Sequence, residues 1–419
     1  MRKAMHNVMK NTGRHLRAAV LAALALVTHM PNQADAQMQV DMPSPEQAIT
    51  RLFTDPQIVP EWFTDAFIAA VPTPRIRTLV DGFTSDFGGF VSVHLTGGSG
   101  FVRLENAAIP VEITLDASGR IAGLLFKPPE PIGQTARDVA DAILQAAPGQ
   151  VAIVAAVQAG DGTWALEVDH NADGAMAVGS AFKLAVLRAY EDAVAAGQLA
   201  RSDIAVLDAE DISLPSGVLQ TLRPGTPITL ETLAALMIQH SDNTATDALI
   251  RMVGRDAIEA VSPRNNPFIK TAELFKLIST EHDARRSAFA SADTASRRAI
   301  LDSLSALPLP PTATIGARAA WSEAEWYFTA EELCRLLASL QDAPALNGRP
   351  NPIVAQDGWP WIGFKGGSAF GVLNLSAAGV TPDGRMVCAV VTINAQEAIE
   401  EERMALLFGS LFRSLTGRR

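Results

Sequence analysis

The sequence predicts an α+β amino-terminal domain, formed by a small antiparallel sheet with helices, followed by an α/β domain whose antiparallel sheet is flanked by helices. Two observations predict this order. Between residues 43 and 131, helical patterns precede short β-rich segments that are separated by turn residues. Beyond residue 135, strand patterns lie at both ends and helical patterns lie between them. We therefore expect one sheet built from both ends of the second domain.

The first domain is expected to span residues 37–131. Its helical patterns cover residues 45–53 and 60–70. Predicted strands follow at residues 90–95, 100–104, 109–115 and 121–127. The proline-rich stretch at residues 127–131 predicts a stiff linker to the second domain.

The second domain is expected to span residues 132–419. Strand hairpins are predicted at residues 151–168 and 372–393, and a final helix at residues 398–415. The central helical patterns cover residues 182–196, 230–253, 271–279 and 329–341. Residues 283–322 form an insertion that is rich in Ala, Ser and Arg and then in Pro. Two interpretations of the insertion remain open, a surface excursion and a flap over the active site.

The amino terminus is typical of a secretory signal peptide. Basic residues precede an apolar run at residues 18–27, and Ala34-Asp35-Ala36 then offers a cleavage site before Gln37. The apolar run is shorter than the ~20 residues that a membrane-spanning helix needs, and no later run is suitable either. We expect residues 1–36 to be removed and the protein to be periplasmic or secreted. An uncleaved amphipathic terminus is the alternative.

The charge balance argues against nucleic-acid and membrane-surface partners. The chain has 45 acidic and 34 basic side chains, and its net charge is −11. Such a chain offers no electrostatic attraction to nucleic acid or to anionic lipid. The sequence contains no recognisable metal-ligand cluster or nucleotide-binding loop, so we expect no cofactor.

The chain has two cysteines, Cys334 in a helical pattern and Cys388 in a strand pattern. Export would permit a disulfide. Buried thiols also behave as small apolar residues, and we expect Cys334 and Cys388 to be free thiols of this kind.

Three short motifs that contain serine or lysine occur once each along the chain. They are Ser180-Ala181-Phe182-Lys183, Ser241-Asp242-Asn243 and Lys365-Gly366-Gly367-Ser368, called here the first, second and third motif. The first motif is expected at a helix start, with serine and lysine on one face. A serine hydroxyl needs a base to become a nucleophile, and a lysine amine can be that base when burial and positive charge lower its pKa.

The second motif interrupts the predicted helix at residues 230–253. Three polar residues inside an apolar helix cost stability unless they have a function. We expect Ser241 to relay a proton to the leaving group and Asn243 to hold Lys183 and the substrate. Asp242 is expected to be structural.

The third motif precedes a strand pattern. Its glycines, including Gly367, would let a substrate lie against a strand edge. Lys365 would support the electric field around Ser241. The backbone N–H of Ser368 would be the second oxyanion donor beside that of Ser180.

The three motifs and the order of elements resemble class A serine β-lactamases and related penicillin-binding serine hydrolases, over about residues 151–415. The resemblance implies a β-lactamase/transpeptidase-like second domain, an acylated Ser180 and Lys183 as its base. It also implies that Ser241, Asn243 and Lys365 complete the catalytic set. The layout and residues 264–275 are similar to the β-lactamase-like esterase of the clavulanic acid gene cluster, which implies a steroid-isomerase or cystatin-like first domain.

The sequence departs from the class A pattern in three places. No E-x-x-L-N segment, which carries the deacylating glutamate of that class, follows Ser241. Glu273 is the nearest candidate for this base, although a first-turn helix residue would look the same. Gly366 replaces the usual hydroxyl residue, and no arginine lies between Lys365 and Arg385 to bind a substrate carboxylate.

These observations predict an exported serine hydrolase that acts on a small ester or β-lactam through a Ser180 acyl-enzyme. Two alternatives remain, a genuine β-lactamase and a non-catalytic protein that binds penicillin or cell-wall fragments.

Overall fold

The computed structural model describes residues 43–315, 319–347, 353–354 and 359–416. The predicted signal peptide lies outside these residues. The predicted fold class is confirmed, because a small antiparallel sheet with helices precedes a larger antiparallel sheet flanked by helices. No helix in the described part of the chain combines the length and apolar character that crossing a membrane requires.

The first sheet follows three helices. The helices are α1 (Pro45–Thr54), α2 (Asp65–Ala70) and α3 (Thr73–Phe87), and the strands are β1 (Phe90–Thr96), β2 (Ser99–Leu104), β3 (Ala107–Leu115), β4 (Ile121–Phe126) and β5 (Glu130–Pro131). Strand β5 pairs with β3, so the stretch at residues 127–131 is partly strand and not only linker. Helix α3 is not among the helices predicted from the sequence, although its buried residues recur at helical spacing. These residues are Ile76, Val80, Phe83 and Phe87.

The large sheet joins strands from both ends of the second part of the chain. Its antiparallel order is β12 (Trp361–Ala369), β13 (Val372–Val380), β14 (Met386–Asn394), β6 (Gln150–Gln158) and β7 (Trp164–His170). The hairpins predicted at both ends are present. Strand β12 lies at one edge and contains the third motif, which sequence alone places before a strand.

The large sheet separates two hydrophobic cores. Alternate residues of β6 point to opposite faces, so that Val154 lies in one core and Ile153 in the other. The core containing Ile153 also includes α4 (Ala136–Ala146), α13 (Glu401–Ser414) and the buried residues of the first sheet and its helices. Ion pairs Arg75–Glu402 and Arg403–Asp86 join α3 to α13.

The other core is covered by the central elements. These are β8 (Met176–Ala177), α5 (Lys183–Ala195), β9 (Ile204–Val206), β10 (Pro227–Thr229), α6 (Leu230–Gln239), α7 (Asn243–Val253), α8 (Arg255–Val261), α9 (Thr271–Ile278), α10 (Asp283–Ser291), α11 (Thr294–Leu304), β11 (Tyr327–Phe328) and α12 (Ala330–Ser339). The helix predicted at residues 230–253 is divided into α6 and α7. Ser241 has a φ of 52° and ends the helical path, and Asp242 caps α7.

The two cysteines form a disulfide, so the expectation of free thiols is wrong. Cys334 lies on α12 and Cys388 on β14, and their Cα atoms are 5.8 Å apart. Helix α12 packs directly over β14. Because 54 residues separate the cysteines in sequence, their proximity depends on tertiary packing that local patterns do not reveal.

We expect the disulfide to contribute to stability by restricting the unfolded chain. Replacing both Cys334 and Cys388 with alanine should lower the free energy of unfolding by about 2–4 kcal/mol. Denaturant titration of the oxidised protein and the double variant measures the difference. Reduction of the native protein is the control, since it should lower stability by a similar amount. Equal stability of all three samples would contradict a structural disulfide.

Candidate active site

The three motifs meet at one cavity of about 600 Å³. Ser180, Ser241, Asn243 and Lys365 all line it. They reach it from different elements, because Ser180 precedes α5, Ser241 lies in the break between α6 and α7, and Lys365 is on β12. The fold therefore brings together residues that are far apart in the sequence.

Ser180 lies in a 3₁₀ turn, Gly179–Phe182, that leads directly into α5. Strand β12 passes against this turn at Gly367, where a Cβ atom would lie 2.4 Å from the Ser180 nitrogen. Gly179 has a φ of +51°, and a Cβ atom there would lie 3.1 Å from the Ser368 nitrogen. Both glycines are needed for the close approach. It brings the backbone nitrogens of Ser180 and Ser368 to the same junction of turn and strand, the arrangement that an oxyanion hole requires.

Lys183 is completely buried at the start of α5. Its Nζ lies 2.7 Å from Asn243 Oδ1, 2.5 Å from the Ser241 carbonyl oxygen and 3.1 Å from Ser241 Oγ. Burial lowers the pKa of Lys183 well below its usual value, and the charge of Lys365 lowers it further. Asp247 and Asp242 act in the opposite direction but do not cancel this shift.

Lys365 approaches the same serine from β12. Its Nζ lies 3.2 Å from Ser241 Oγ and 2.5 Å from the Gly366 carbonyl oxygen. Only 4% of Lys365 is exposed, and burial lowers its pKa to about 7. The Ser241 hydroxyl is thus flanked by two amines whose pKa values are both lowered. This is an arrangement through which protons can pass.

Asp242 fixes the strained backbone of the second motif. Its carboxylate accepts hydrogen bonds from the backbone N–H groups of Ala245, Val218 and Leu219 at 2.9, 2.6 and 2.9 Å. In addition, Ser216 Oγ donates to the Ser241 carbonyl oxygen at 2.7 Å. The side chain of Asp242 is therefore structural, and it holds Ser241 between the two lysines.

The structure places Glu273 outside the lining of the cavity. One carboxylate oxygen accepts a hydrogen bond from the Lys270 backbone N–H at 2.8 Å, and the other pairs with Arg255 at 2.7 Å. Glu273 is the third residue of a capping box on α9. The structure therefore does not bring Glu273 to the cavity, and its contacts are those of the alternative, a first-turn helix residue.

Sequence reasoning missed Glu325, which does line the cavity. Only 7% of this residue is exposed, and burial raises the pKa of its carboxyl group to about 7. It follows the predicted insertion and belongs to none of the three motifs, so the sequence carries no local signal for it. The next residue, Trp326, stacks on Phe182 of the first motif with ring centroids 3.6 Å apart.

Apolar side chains form much of the remaining wall. Leu274, Phe275 and Ile278 come from α9, and Ile315 and Trp321 come from the end of the predicted insertion. The indole N–H of Trp321 donates to the Ala395 carbonyl oxygen at 2.8 Å and so holds this side chain in place. Part of the insertion is therefore wall of the cavity, whereas α10 and α11 are not among its lining elements.

The third motif faces an apolar neighbour on the next strand. The β12–β13 register places Leu375 opposite Gly366, and Leu375 also lines the cavity. Neither residue offers a donor side chain for a carboxylate. Within the described residues, no group of three or more His, Cys, Asp or Glu side chains is arranged to hold a metal ion.

Comparison with family models matches residues 134–348 to the beta-lactamase enzyme family. Among solved structures, the chain is similar to a β-lactamase from Sphaerobacter thermophilus, at 26% identity over 66% of this chain and 93% of that chain, with a TM-score of 0.44. The chain is also similar to PBP-A, at 15% identity over 70% of this chain and 98% of that chain, with a TM-score of 0.44. A β-lactamase from Chitinophaga pinensis is similar at 16% identity over 67% of this chain and 98% of that chain, with a TM-score of 0.45. No curated protein matches the chain.

We expect the pKa of Lys183 to depend on the charge of Lys365. Replacing Lys365 with methionine removes a positive charge that disfavours the Lys183 ammonium, so the pKa of Lys183 should rise. Titration of lysine Cε resonances by ¹³C NMR, assigned with Lys183→Ala, measures the shift. Lys127→Met is the matched control, since Lys127 pairs with Glu112 on the first sheet. An unchanged Lys183 pKa in Lys365→Met would show that the two amines are not coupled.

Proposed function

Because the chain belongs to the beta-lactamase enzyme family, we propose that it is an exported serine hydrolase that forms an acyl-enzyme on Ser180. The observation that carries this proposal is the burial of Lys183, with a lowered pKa, beside Ser241 and Asn243 in the cavity that Ser180 lines. A lysine that is neutral near physiological pH can take the proton of a serine hydroxyl.

The acylation step follows from this arrangement. Lys183 takes the proton from Ser180 Oγ as that oxygen attacks the substrate carbonyl carbon. The negative charge that develops on the carbonyl oxygen is stabilised by the backbone N–H groups of Ser180 and Ser368. Asn243 keeps the Lys183 amine in position through its 2.7 Å contact.

The leaving group must receive a proton as it departs. Ser241 Oγ is suited to deliver it, since this hydroxyl lies within 3.2 Å of both amines. The proton taken by Lys183 can reach the leaving group through Ser241. Lys365 has a pKa of about 7. When Lys365 is protonated, its positive charge stabilises the negative charge that develops on Ser241 Oγ as the proton leaves.

The walls of the cavity favour a neutral ester with an apolar acyl group as substrate. Leu274, Phe275 and Trp321 offer apolar contact. At the place where the class A resemblance implies carboxylate binding, this chain has Gly366 opposite Leu375. A penicillin carboxylate would be desolvated there, and neither Gly366 nor Leu375 has a donor side chain to compensate. A genuine β-lactamase remains the second candidate, since the acylating groups are the same for both substrates.

Export is part of the proposal. It rests on residues 1–36, whose pattern is that of a signal peptide. The Cys334–Cys388 disulfide is consistent with an oxidising compartment such as the periplasm. In this proposal the first domain, residues 37–131, accompanies the hydrolase domain, residues 132–419.

Ser180→Ala should abolish the esterase activity. We expect at least a 10³-fold loss of p-nitrophenyl butyrate hydrolysis, because the nucleophile is absent. Intact-mass spectrometry should detect an acyl adduct on the native protein and none on Ser180→Ala. Ser202→Ala, at an exposed serine, is the matched control and should retain both properties. Full activity of Ser180→Ala would refute the assignment, and a stable adduct without turnover would favour the binding-protein alternative.

Gly366→Thr should improve the use of substrates that carry a carboxylate. A hydroxyl at this position would donate to the carboxylate, and we expect kcat/KM for benzylpenicillin to rise about tenfold relative to that for the neutral ester. A Cβ atom here would lie 3.2 Å from the Asn374 carbonyl oxygen and 3.3 Å from Phe364 Cζ, so only small adjustments are needed. Gly366→Val has the same shape without the hydroxyl. If Val and Thr behave alike, the missing hydroxyl does not determine substrate choice.

A further inference from the structure

Glu325 is a buried carboxyl group that the acylation chemistry does not use. One of its oxygens accepts a hydrogen bond from the backbone N–H of Trp326 at 3.0 Å. The other oxygen has no hydrogen-bond or ion-pair partner among the residues that the structure describes. Burying a carboxyl oxygen without a hydrogen-bond partner lowers the stability of the folded protein, so such an oxygen calls for a functional explanation. Glu325 lines the cavity that Ser180 also lines.

Backbone pairing places the segment that contains Glu325 beside the segment that leads to the Ser180 turn. Strand β11 pairs with β8, with Tyr327 opposite Ala177. The pairing continues beyond the strands, because the Val178 N–H donates to the Trp326 carbonyl oxygen at 3.1 Å. One residue beyond this hydrogen bond along the chain lies Glu325 on one segment and, on the other, Gly179, which precedes Ser180.

Trp326 holds this segment rigidly. Its indole ring stacks on Phe182, and its N–H donates to the Ile269 carbonyl oxygen at 3.0 Å. Phe182 lies between Ser180 and Lys183 in the first motif. The position of Glu325 is therefore fixed relative to the turn that carries the nucleophile, as a group acting on the acyl-enzyme must be.

We propose that Glu325 is the general base that activates water to hydrolyse the acyl-enzyme on Ser180. This inference rests on the proposed function, and it gives Glu325 the role predicted for Glu273, which lies outside the lining of the cavity. The free oxygen of Glu325 takes a proton from a water molecule as the water oxygen bonds to the acyl carbonyl carbon. The bond between that carbon and Ser180 Oγ then breaks, and the proton returns to Ser180 Oγ. The products are a carboxylic acid and the free enzyme.

The environment of Glu325 suits this role. Burial raises the pKa of its carboxyl group to about 7, close to the value at which a general base is most effective at neutral pH. Other charged and titratable groups line the two cavities that Glu325 borders. They are Lys365 and Glu401 on the Ser180 side, and Arg264, Arg297, Glu323 and Tyr327 on the other side. Lys183 does not line either cavity, but it contacts Ser241 and Asn243 of the Ser180 side.

The test separates acylation from deacylation. Native protein and Glu325→Gln are mixed with p-nitrophenyl butyrate, and both the burst of p-nitrophenol and the acyl-enzyme mass are followed over time. We expect the burst to persist in Glu325→Gln while deacylation slows about 100-fold and the Ser180 adduct accumulates. Glutamine keeps the acceptor for the Trp326 N–H, so the fold should be retained. Deacylation at the native rate would overturn the inference.

Two further measurements keep the test decisive. Glu273→Gln is the matched control and should deacylate at the native rate, whereas slow deacylation in this variant alone would overturn our assignment. The deacylation rate of the native protein should rise with pH through about 7, because the carboxylate is the active form, and a flat profile would also overturn it. If neither the native protein nor Glu325→Gln hydrolyses the ester or forms an adduct, the proposed function fails together with this inference.

Discussion

The site depends on keeping two amines, those of Lys183 and Lys365, out of water beside one hydroxyl. Each ammonium is destabilised by burial, and Lys183 is further destabilised by the charge of Lys365. Such a pair is stable only if surrounding groups supply hydrogen bonds and if one amine can be neutral. Asn243 and the backbone around Ser241 supply these hydrogen bonds. The lowered pKa of Lys183 makes its amine easier to deprotonate, and a neutral amine is the base that a serine nucleophile needs.

Other features of the structure serve this arrangement. Ser241 reaches both amines only because its backbone leaves the helical path, and Asp242 holds that conformation by binding three backbone N–H groups. Lys365 reaches the same point because β12 lies at the sheet edge and passes against the Ser180 turn at Gly367. Glycine is required there, since any side chain would collide with the turn.

The sequence predicts the parts of this site that have local signatures. The three motifs identify Ser180, Ser241 and Lys365, which line one cavity, and Lys183, which lies beside Ser241. Alternating apolar patterns predict most strands. What it could not predict depends on distant contacts. The disulfide requires α12 to pack on β14, and Glu325 is placed by pairing with a strand about 150 residues earlier, Met176–Ala177. The break between α6 and α7 is not predicted because the helical pattern continues on both sides of the second motif. The capping role of Glu273 becomes evident only once Arg255 and Lys270 are seen beside it.

The topology of the large sheet also constrains when the protein can fold. Strand β6 comes before the middle of the sequence, but its neighbour β14 comes near the end, with Val157 paired to Val387. Helix α13, which covers one face of the sheet, is later still. Contacts of such long sequence separation form slowly. A chain emerging amino terminus first can therefore complete neither the sheet nor its covering until almost all of it is available. A protein with this topology would remain incompletely folded during most of its synthesis, which is the condition that passage through a narrow translocation pore requires.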